Sequence, residues 1–424
     1  MTLKEELELL RGESIALRAR VEDIPCIETS DLEKLCKNPV VSVQMITYNH
    51  EPYIRQAIEG VMMQKTDFEF ELVIGEDCST DKTREICFEY QKKYPDKIRV
   101  LWSEHNVNHV GGNSIRSRAR CRGEFIALCE GDDYWIDPFK LQKQVDAMRK
   151  HPNVGICFCG SLIHSCKDDK WKVWGGTGNG FEPGVINSKK YMLFSMFGKN
   201  PGAWGAEFFQ MTATFLARAA VLKKAQERYE LFKWRLLVGD GVFSMGVGSL
   251  SDAYYLQDVV SVYRQTSTGA SITNAERGFV DALIIRLYYL SEAMGLSLSD
   301  VPEKMKAKFI DSRLSYLRRT CGSNGALDYL SNVFKNPEVG PAFKFPALWL
   351  RRSMARHGFT SFIGYVDRWV HRFLCPYKVS PALDRAYVEA GAGDYNRRIY
   401  SRESIFAWMV RQVARGVYRL AGGH

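Results

Sequence analysis

The sequence predicts an α/β protein: a mainly parallel sheet flanked by helices, with a short helix before it and a basic helical region after it. Three observations lead there. Between residues 40 and 150, short runs rich in Val, Ile and Phe alternate with stretches of helical spacing, the pattern of βαβ units. Carboxylates recur where the predicted strands end. Charge is unevenly spread: residues 341–424 hold 14 Lys+Arg and 5 Asp+Glu, a balance of +9 that equals the net charge of the whole 424-residue chain.

The elements follow in order. Leu3, Leu7, Leu10, Ser14, Leu17 and Val21 recur at spacings of four and three, which gives an amphipathic helix over residues 1–21. It packs on the main domain or, alternatively, pairs with a second copy in a homo-oligomer. Residues 22–38, with Pro25, read as a linker. Val40–Tyr48 reads as a buried strand and Glu51–Lys65 as a helix. Phe70–Asp77 is a second strand and Asp81–Tyr94 a second helix, with Asp81 placed to cap it. Ile98–Ser103 is a third strand, and a basic helix lies near Asn113–Cys121. Glu124–Glu130 is a fourth strand, and Pro138–Lys150 is a helix. Further on, Val154–Ile163, Met211–Ala217 and Tyr254–Tyr263 read as strands, Ala219–Tyr229 and Asp240–Gly248 as helices. Four regions result: 1–38 (helix and linker), 39–275 (catalytic domain), 276–340 (helical extension) and 341–424 (basic amphipathic helices).

Composition excludes several classes. No apolar run approaches the roughly 18 residues of a membrane-spanning helix. The eleven cysteines form no CxxC pair, which argues against zinc or redox frameworks and for free thiols in a reducing cytosol. The acidic start MTLKEELELLRGES is not a secretory signal. A nucleic-acid enzyme would carry its basic residues around the cleft. Here they sit in one tail, so no nucleic-acid partner is expected.

The chemistry is expected where the acids gather: Glu76-Asp77-Cys78-Ser79-Thr80-Asp81, Glu130-Gly131-Asp132-Asp133 and Val238-Gly239-Asp240-Gly241. Carboxylates at the rim of a parallel sheet are costly unless neutralised. A divalent cation neutralises them, and Mg²⁺ or Mn²⁺ prefers hard oxygen ligands. Such a cation would hold an anionic substrate, most naturally a diphosphate, at the carboxyl ends of the strands.

Val41–Glu51 (VSVQMITYNHE), Gly75–Asp81 (GEDCSTD) and Glu124–Lys140 (EFIALCEGDDYWIDPFK) resemble a family 2 inverting glycosyltransferase of the GT-A fold, of the bacterial surface-polysaccharide type. Leu141–Gln144, Gly239-Asp240 and Tyr263-Arg264 continue the likeness, which spans about residues 40–270. The resemblance implies a Rossmann-like GT-A sheet and a nucleotide-sugar donor, UDP-linked. It implies a glycan or lipid-linked acceptor, in polysaccharide or lipopolysaccharide assembly.

Thr47, Tyr48, Asn49 and Glu51 would line the nucleoside pocket, with Asp77 on the base. Asp132 and Asp133 would bind the metal–diphosphate and ribose, with Glu130 where the family usually has its first Asp. Arg116, of the three arginines 116, 118 and 120, would reach the donor, with the other two on a solvated helix face, and Arg264 would reach the diphosphate. Asp240 would be the general base, a role the reaction needs because a sugar hydroxyl is a poor nucleophile until its proton is removed. The alternative for Asp240 is a helix cap. Trp135 would touch the acceptor or pack in the core, and Thr212 would touch the acceptor. Cys78 stands where the family has Gly, and Gln265 where it often has His.

At the C-terminal end, Phe362, Val366, Trp369, Val370 and Phe373 form an apolar stripe. Phe406, Met409, Val410, Val413, Val417 and Leu420 form another, with Arg411, Arg415 and Arg419 on its polar side. These helices lie on an anionic membrane, at the inner face of the cytoplasmic membrane, or pack on the catalytic domain. A sugar-nucleotidyltransferase or an inactive membrane-associated scaffold are the alternative functions. The first would carry a Gly-rich basic loop where Tyr48-Asn49-His50-Glu51 stands.

Overall fold

The computed structural model describes residues 24–107, 112–174, 182–197, 211–228 and 240–266, with a few positions in 289–296 and 382–389. The N-terminal stripe, the C-terminal basic helices, most of the predicted extension, and Gly239 lie outside these residues.

Strands β1 (Ile27–Thr29), β2 (Val41–Thr47), β3 (Phe70–Glu76), β4 (Ile98–Trp102), β5 (Phe125–Leu128) and β6 (Tyr134–Trp135) come first. After them come β7 (Val154–Ser165), β8 (Lys170–Trp174), β9 (Gly184–Ile186), β10 (Leu216–Arg218) and β11 (Asp252–Gln265). The helices are α1 (Ile54–Met62), α2 (Thr83–Lys93), α3 (Gly112–Ala119), α4 (Lys140–Lys150), α5 (Ser188–Phe197), α6 (Ala219–Arg228) and α7 (Asp240–Gly248).

Among the described residues the strands join one sheet in the order β1-β4-β3-β2-β5-β10-β7-β11-β6, with β8 on β7 and β9 on β11. β4, β3, β2 and β5 are parallel, as are β7 and β11, while β10 runs antiparallel between β5 and β7. The expected mainly parallel α/β sheet is what forms, in the GT-A arrangement. Alternate strand residues point to opposite faces: Val41, Val43, Met45, Leu72, Ile74, Val100, Phe125 and Ala127 are all buried in one core with Ile54, Ile58 and Val61 of α1, while Ser42, Gln44 and Glu71 are buried between them.

Several expectations need correction. The stretch read as a linker contributes β1, paired antiparallel with β4 and fixed by Trp102, whose indole N–H donates to Thr29 Oγ1 at 3.1 Å. A strand was expected over Met211–Ala217, but Thr212–Thr214 is a 3-10 turn and only Leu216–Arg218 pairs. The Thr214 hydroxyl donates to the Met211 carbonyl (2.7 Å), an alternative to ladder pairing that favours the turn. Helix α2 starts after Lys82 rather than after Asp81. Asp81 still accepts from the Thr83 amide (3.0 Å), while its other oxygen takes the Glu51 amide (3.0 Å). β6, β8, β9 and α5 have too few residues or too little periodicity to stand out in the sequence.

At the edge where the strands begin, Glu71 is buried under a full set of donors. Its carboxylate accepts from Ser42 Oγ (2.6 Å), from Arg99 Nη1 (3.2 Å) and from Arg122 Nη2 (2.6 Å), and Arg99 Nε also reaches Glu28 (2.8 Å). Burial alone would push the Glu71 carboxyl up. The hydrogen bonds from Arg122 and Ser42 and the charge of Arg99 outweigh it and hold Glu71 below the usual glutamate range.

Candidate active site

The opposite edge, where β2, β3 and β5 end, gathers most of the predicted site residues. The loops after β2 and β3 are tied to one another. The Asn49 amide donates to Ser79 Oγ (3.0 Å), and Asn49 Oδ1 accepts from the Thr80 amide (2.8 Å). The His50 amide donates to Thr83 Oγ1 (2.8 Å), and the Glu51 carboxylate accepts from the Lys82 amide (3.1 Å). Two residues of these loops adopt left-handed backbone, Asn49 at φ 53° and Cys78 at φ 59°. Asn tolerates this conformation and glycine prefers it, which explains the Gly expected at position 78. Asn49 and Glu51 thus shape the loop, while Tyr48 presents an exposed ring.

Asp77 is buried at the end of β3. Its Oδ1 accepts from the Val107 amide (2.7 Å), and its carbonyl from Asn106 Nδ2 (2.8 Å). Across β2 from it, the β5 strand runs into the turn Glu130–Asp133, closed by the Asp133 amide on the Glu130 carbonyl (3.1 Å) and the Gly131 amide on Ile46 O (2.9 Å). Gly131 is required there. A Cβ would lie 2.7 Å from Thr47 Oγ1 and 2.9 Å from His50 Nδ1. Those two atoms are buried and have no hydrogen-bond partner in the structure, which is unusual for buried polar groups. His50 Nε2 lies 3.9 Å from Asp132 Oδ2. Burial holds the His50 pKa down, against the negative charges of Asp132 and Asp81.

Asp133 is almost fully buried and accepts from the Arg264 amide (2.9 Å). Burial first, then the charges of Asp132 and Glu130, push its carboxyl well above the usual range. Arg264 comes from β11. Its guanidinium donates to the Asp132 carbonyl (2.6 Å) and to Gln56 of α1, and lies 4.3 Å from the Tyr134 ring. The resemblance points to Arg264 for the diphosphate, and the structure ties it to the acid turn.

Glu130, Asp132 and Asp133 do not converge as a three-acid metal cage, and none is found among the described residues. The Asp132 side chain reaches solvent, at 21% exposure, and Glu130 is also partly exposed. Partly accessible carboxylates with two orphaned polar atoms beside them suit Mg²⁺ or Mn²⁺. Such a cation usually takes one or two carboxylates and completes its shell with phosphate and water oxygens.

The other predicted residues divide. Asp240 is the first residue of α7, whose Phe243 stacks on Phe215 (5.9 Å) and lies 5.2 Å from the Arg118 guanidinium. Arg118, expected on a solvated face, instead donates to Gln44 Oε1 (3.0 Å) in β2 and Ser114 Oγ (2.9 Å). Burial lowers its pKa to about 10, with Glu130 acting in the opposite sense. Arg118 thus links α7 to the side of the acid turn. Arg116 donates to the Ile24 carbonyl ahead of β1. Arg120 is exposed, 3.9 Å from Glu28.

Trp135 is no acceptor contact. It is 1% exposed, its indole N–H donates to the Ala213 carbonyl (2.8 Å), and Lys140 Nζ lies 4.0 Å from its ring. Burial pushes the Lys140 pKa down to about 8. Thr212 sits in the 3-10 turn under β10 and is partly buried. Sequence reading missed His50, Gln56 and Arg118 as residues of this region. His50 lies inside the VSVQMITYNHE run, and its place one residue after the left-handed Asn49 was the available signal.

Residues 42–223 match the family described as Glycosyl transferase family 2. An uncharacterised Mycobacterium tuberculosis protein is 44% identical over 119 residues, 28% of this chain and 34% of that protein. A putative teichuronic acid biosynthesis glycosyltransferase, TuaG of Bacillus subtilis, is 36% identical over 112 residues, 26% of this chain and 42% of that protein. The chain therefore spans about a third to two-fifths of the length of these curated relatives. The crystal structure of S. aureus TarS 1–349 in complex with UDP-GlcNAc superposes with a TM-score of 0.51 at 19% identity, over 80% of this chain and 93% of that one. It shows the shared fold. Among the described residues no helix is long and apolar enough to cross a membrane.

Proposed function

We propose, from the premise that residues 42–223 form a glycosyl transferase family 2 domain, that the protein transfers a sugar from a nucleotide diphosphate, UDP-linked, to a hydroxyl of a glycan or lipid-linked acceptor, inverting the anomeric centre. The observation that carries this is the acid turn Glu130–Asp133. Its buried Asp133 is held above the usual carboxylate range beside two further acids, at the end of β5, with Asp77 at the end of β3 on the same sheet edge and β2 between them. That concentration of negative charge at the carboxyl ends of parallel strands suits a site completed by a cation and a diphosphate.

The residues take roles that follow from placement. Tyr48 and Asp77 flank the nucleoside, with Asn49 and Glu51 holding their loops. Arg264 keeps the acid turn in position and adds positive charge beside the diphosphate. A Mg²⁺ or Mn²⁺ ion held by Asp132 would offset charge on the departing nucleoside diphosphate. Asp240, at the start of α7, takes the proton of the acceptor hydroxyl. Its oxygen then bonds to the anomeric carbon from the face opposite the diphosphate, and the C–O bond to the diphosphate breaks with the electron pair leaving on phosphate oxygen. The basic C-terminal segment, which the sequence predicts to form amphipathic helices, would bring the domain to an anionic membrane where a lipid-linked acceptor resides. Surface-polysaccharide assembly is the setting this reading favours.

The test is transfer by Asp240→Asn. We expect loss of about 10²–10⁴-fold in transfer rate, with nucleotide-sugar binding by calorimetry retained. Transfer at the wild-type rate removes Asp240 as the base.

A further inference from the structure

The hairpin of β7 and β8 carries an exposed aromatic that neither the core nor the acid turn uses. Trp171 is 51% exposed and Val173 58% exposed. One face of the Trp171 indole is covered by the His164 imidazole, ring centroids 4.0 Å apart and planes 7° from parallel. His164 is itself pinned, its Nε2 2.8 Å from Asp169 Oδ1. The ring is therefore held flat against the hairpin, with its other face outward.

Strand register ties this ring to the site. Trp171 pairs with His164, and His164 pairs with Arg264. One row further along, Val173, Leu162, Val262 and Tyr134 lie side by side in the same way. Residues paired across a ladder point to one face of the sheet. The Arg264 guanidinium over the Tyr134 ring confirms the face. Trp171 and Arg264 thus share a face, two strand steps apart, about 10 Å at the usual strand spacing. Arg264 is the residue bonded to both Asp132 and Asp133.

We propose that Trp171 is a sugar-stacking platform for the acceptor glycan, binding a ring some way from the sugar that reacts. This rests on the glycosyl-transfer reading of the acid turn. The surroundings fit a carbohydrate. Among the described residues of the hairpin, two exposed apolar side chains are far less than a protein interface of about 800 Å² per partner needs. The neighbouring charges are mixed in sign rather than uniformly basic: Lys167, Lys170 and Lys172 stand against Asp168 and Asp169, with Lys170 2.5 Å from Asp168 and Asp169 on His164. That is a weak field for an anionic membrane, and it supplies hydroxyl-bonding groups around a flat apolar face. An indole offers large, rigid amphipathic area at low entropic cost, and the axial C–H face of a pyranose is its natural complement.

The experiment is a printed array of bacterial surface glycans probed with the full chain as wild type, Trp171→Leu and Trp171→Phe. Leucine keeps the apolar bulk but not the flat ring, and phenylalanine keeps a flat ring. We expect wild-type binding to a subset of glycans, about a tenfold loss in Trp171→Leu, and substantial retention in Trp171→Phe. Equal binding by Trp171→Leu, or no glycan bound by the wild type, overturns the proposal. Calorimetry of UDP-sugars with the wild-type chain separates the two readings. Glycan binding that depends on Trp171 without donor binding sinks the transferase reading and keeps the platform. Donor binding with glycan binding indifferent to Trp171 does the reverse.

Discussion

The two edges of the parallel sheet bury carboxylates in opposite ways. Where the strands begin, Glu71 is surrounded by Arg99, Arg122 and Ser42, and its pKa is held down. Where they end, Asp133 shares a four-residue turn with Asp132 and Glu130, and its pKa is pushed up. The first edge is complete within the chain. The second has more negative charge than its own groups offset, although Arg264 reaches it. A fold tolerates the second arrangement where an outside partner supplies what is missing. The difference separates a structural acid from a site acid without any reference to motif.

The comparison can be broken most sharply at Glu71. Replacing it with Gln strands two arginines in a buried cluster and should cost about 3–5 kcal/mol of stability, read as a lower midpoint in urea or heat. A midpoint within experimental error of wild type would mean the cluster is not an internal counterweight. The pH dependence comes next. A carboxyl whose folded pKa is depressed contributes stability above its unfolded pKa and loses it as pH falls through the folded one. Glu71 and Glu28 both lie below their ordinary 4.5. Thermal midpoints should therefore hold down to about pH 4.5 and fall below it. Glu71→Gln should show a shallower fall over that window.

The other edge predicts the opposite sign. A carboxyl with a raised folded pKa costs the fold stability when it ionises, so replacing Asp133 by a neutral isostere removes that cost. Asp133→Asn keeps the oxygen that accepts from the Arg264 amide and removes the charge. Its thermal midpoint at pH 7 should equal or exceed that of wild type, and a marked decrease would contradict the assignment. Smallest of all is Cys78→Gly, which relieves left-handed backbone and should gain about 1 kcal/mol. Cys78→Val, measured beside it, should lose stability.

The sheet was largely legible in the sequence because its strands concentrate Val, Ile, Leu, Met and Phe between stretches of helical spacing, as in VSVQMIT and FELVIGE. Helix α7 matched its expected limits from Asp240 to Gly248. The misses have physical causes. The Trp135 ring follows the acid turn in sequence, yet its alternation along β6 turns it into the core beneath Lys140, so proximity in sequence did not mean proximity to a ligand. Arg116, Arg118 and Arg120 differ only by two-residue steps, about 200° of helix rotation each, so they go to three different places. Trp171 lies on an edge strand whose five residues are mostly exposed, and only pairing to β7 shows that it shares a row with Arg264.

The central claim is that the acid turn is completed by a cation and a nucleoside diphosphate. Titration calorimetry of UDP with and without Mn²⁺, on wild type and Asp132→Asn, tests it most directly. The account predicts UDP binding at least about tenfold tighter with Mn²⁺, with that gain abolished in Asp132→Asn. UDP binding of equal strength in all four titrations would contradict it.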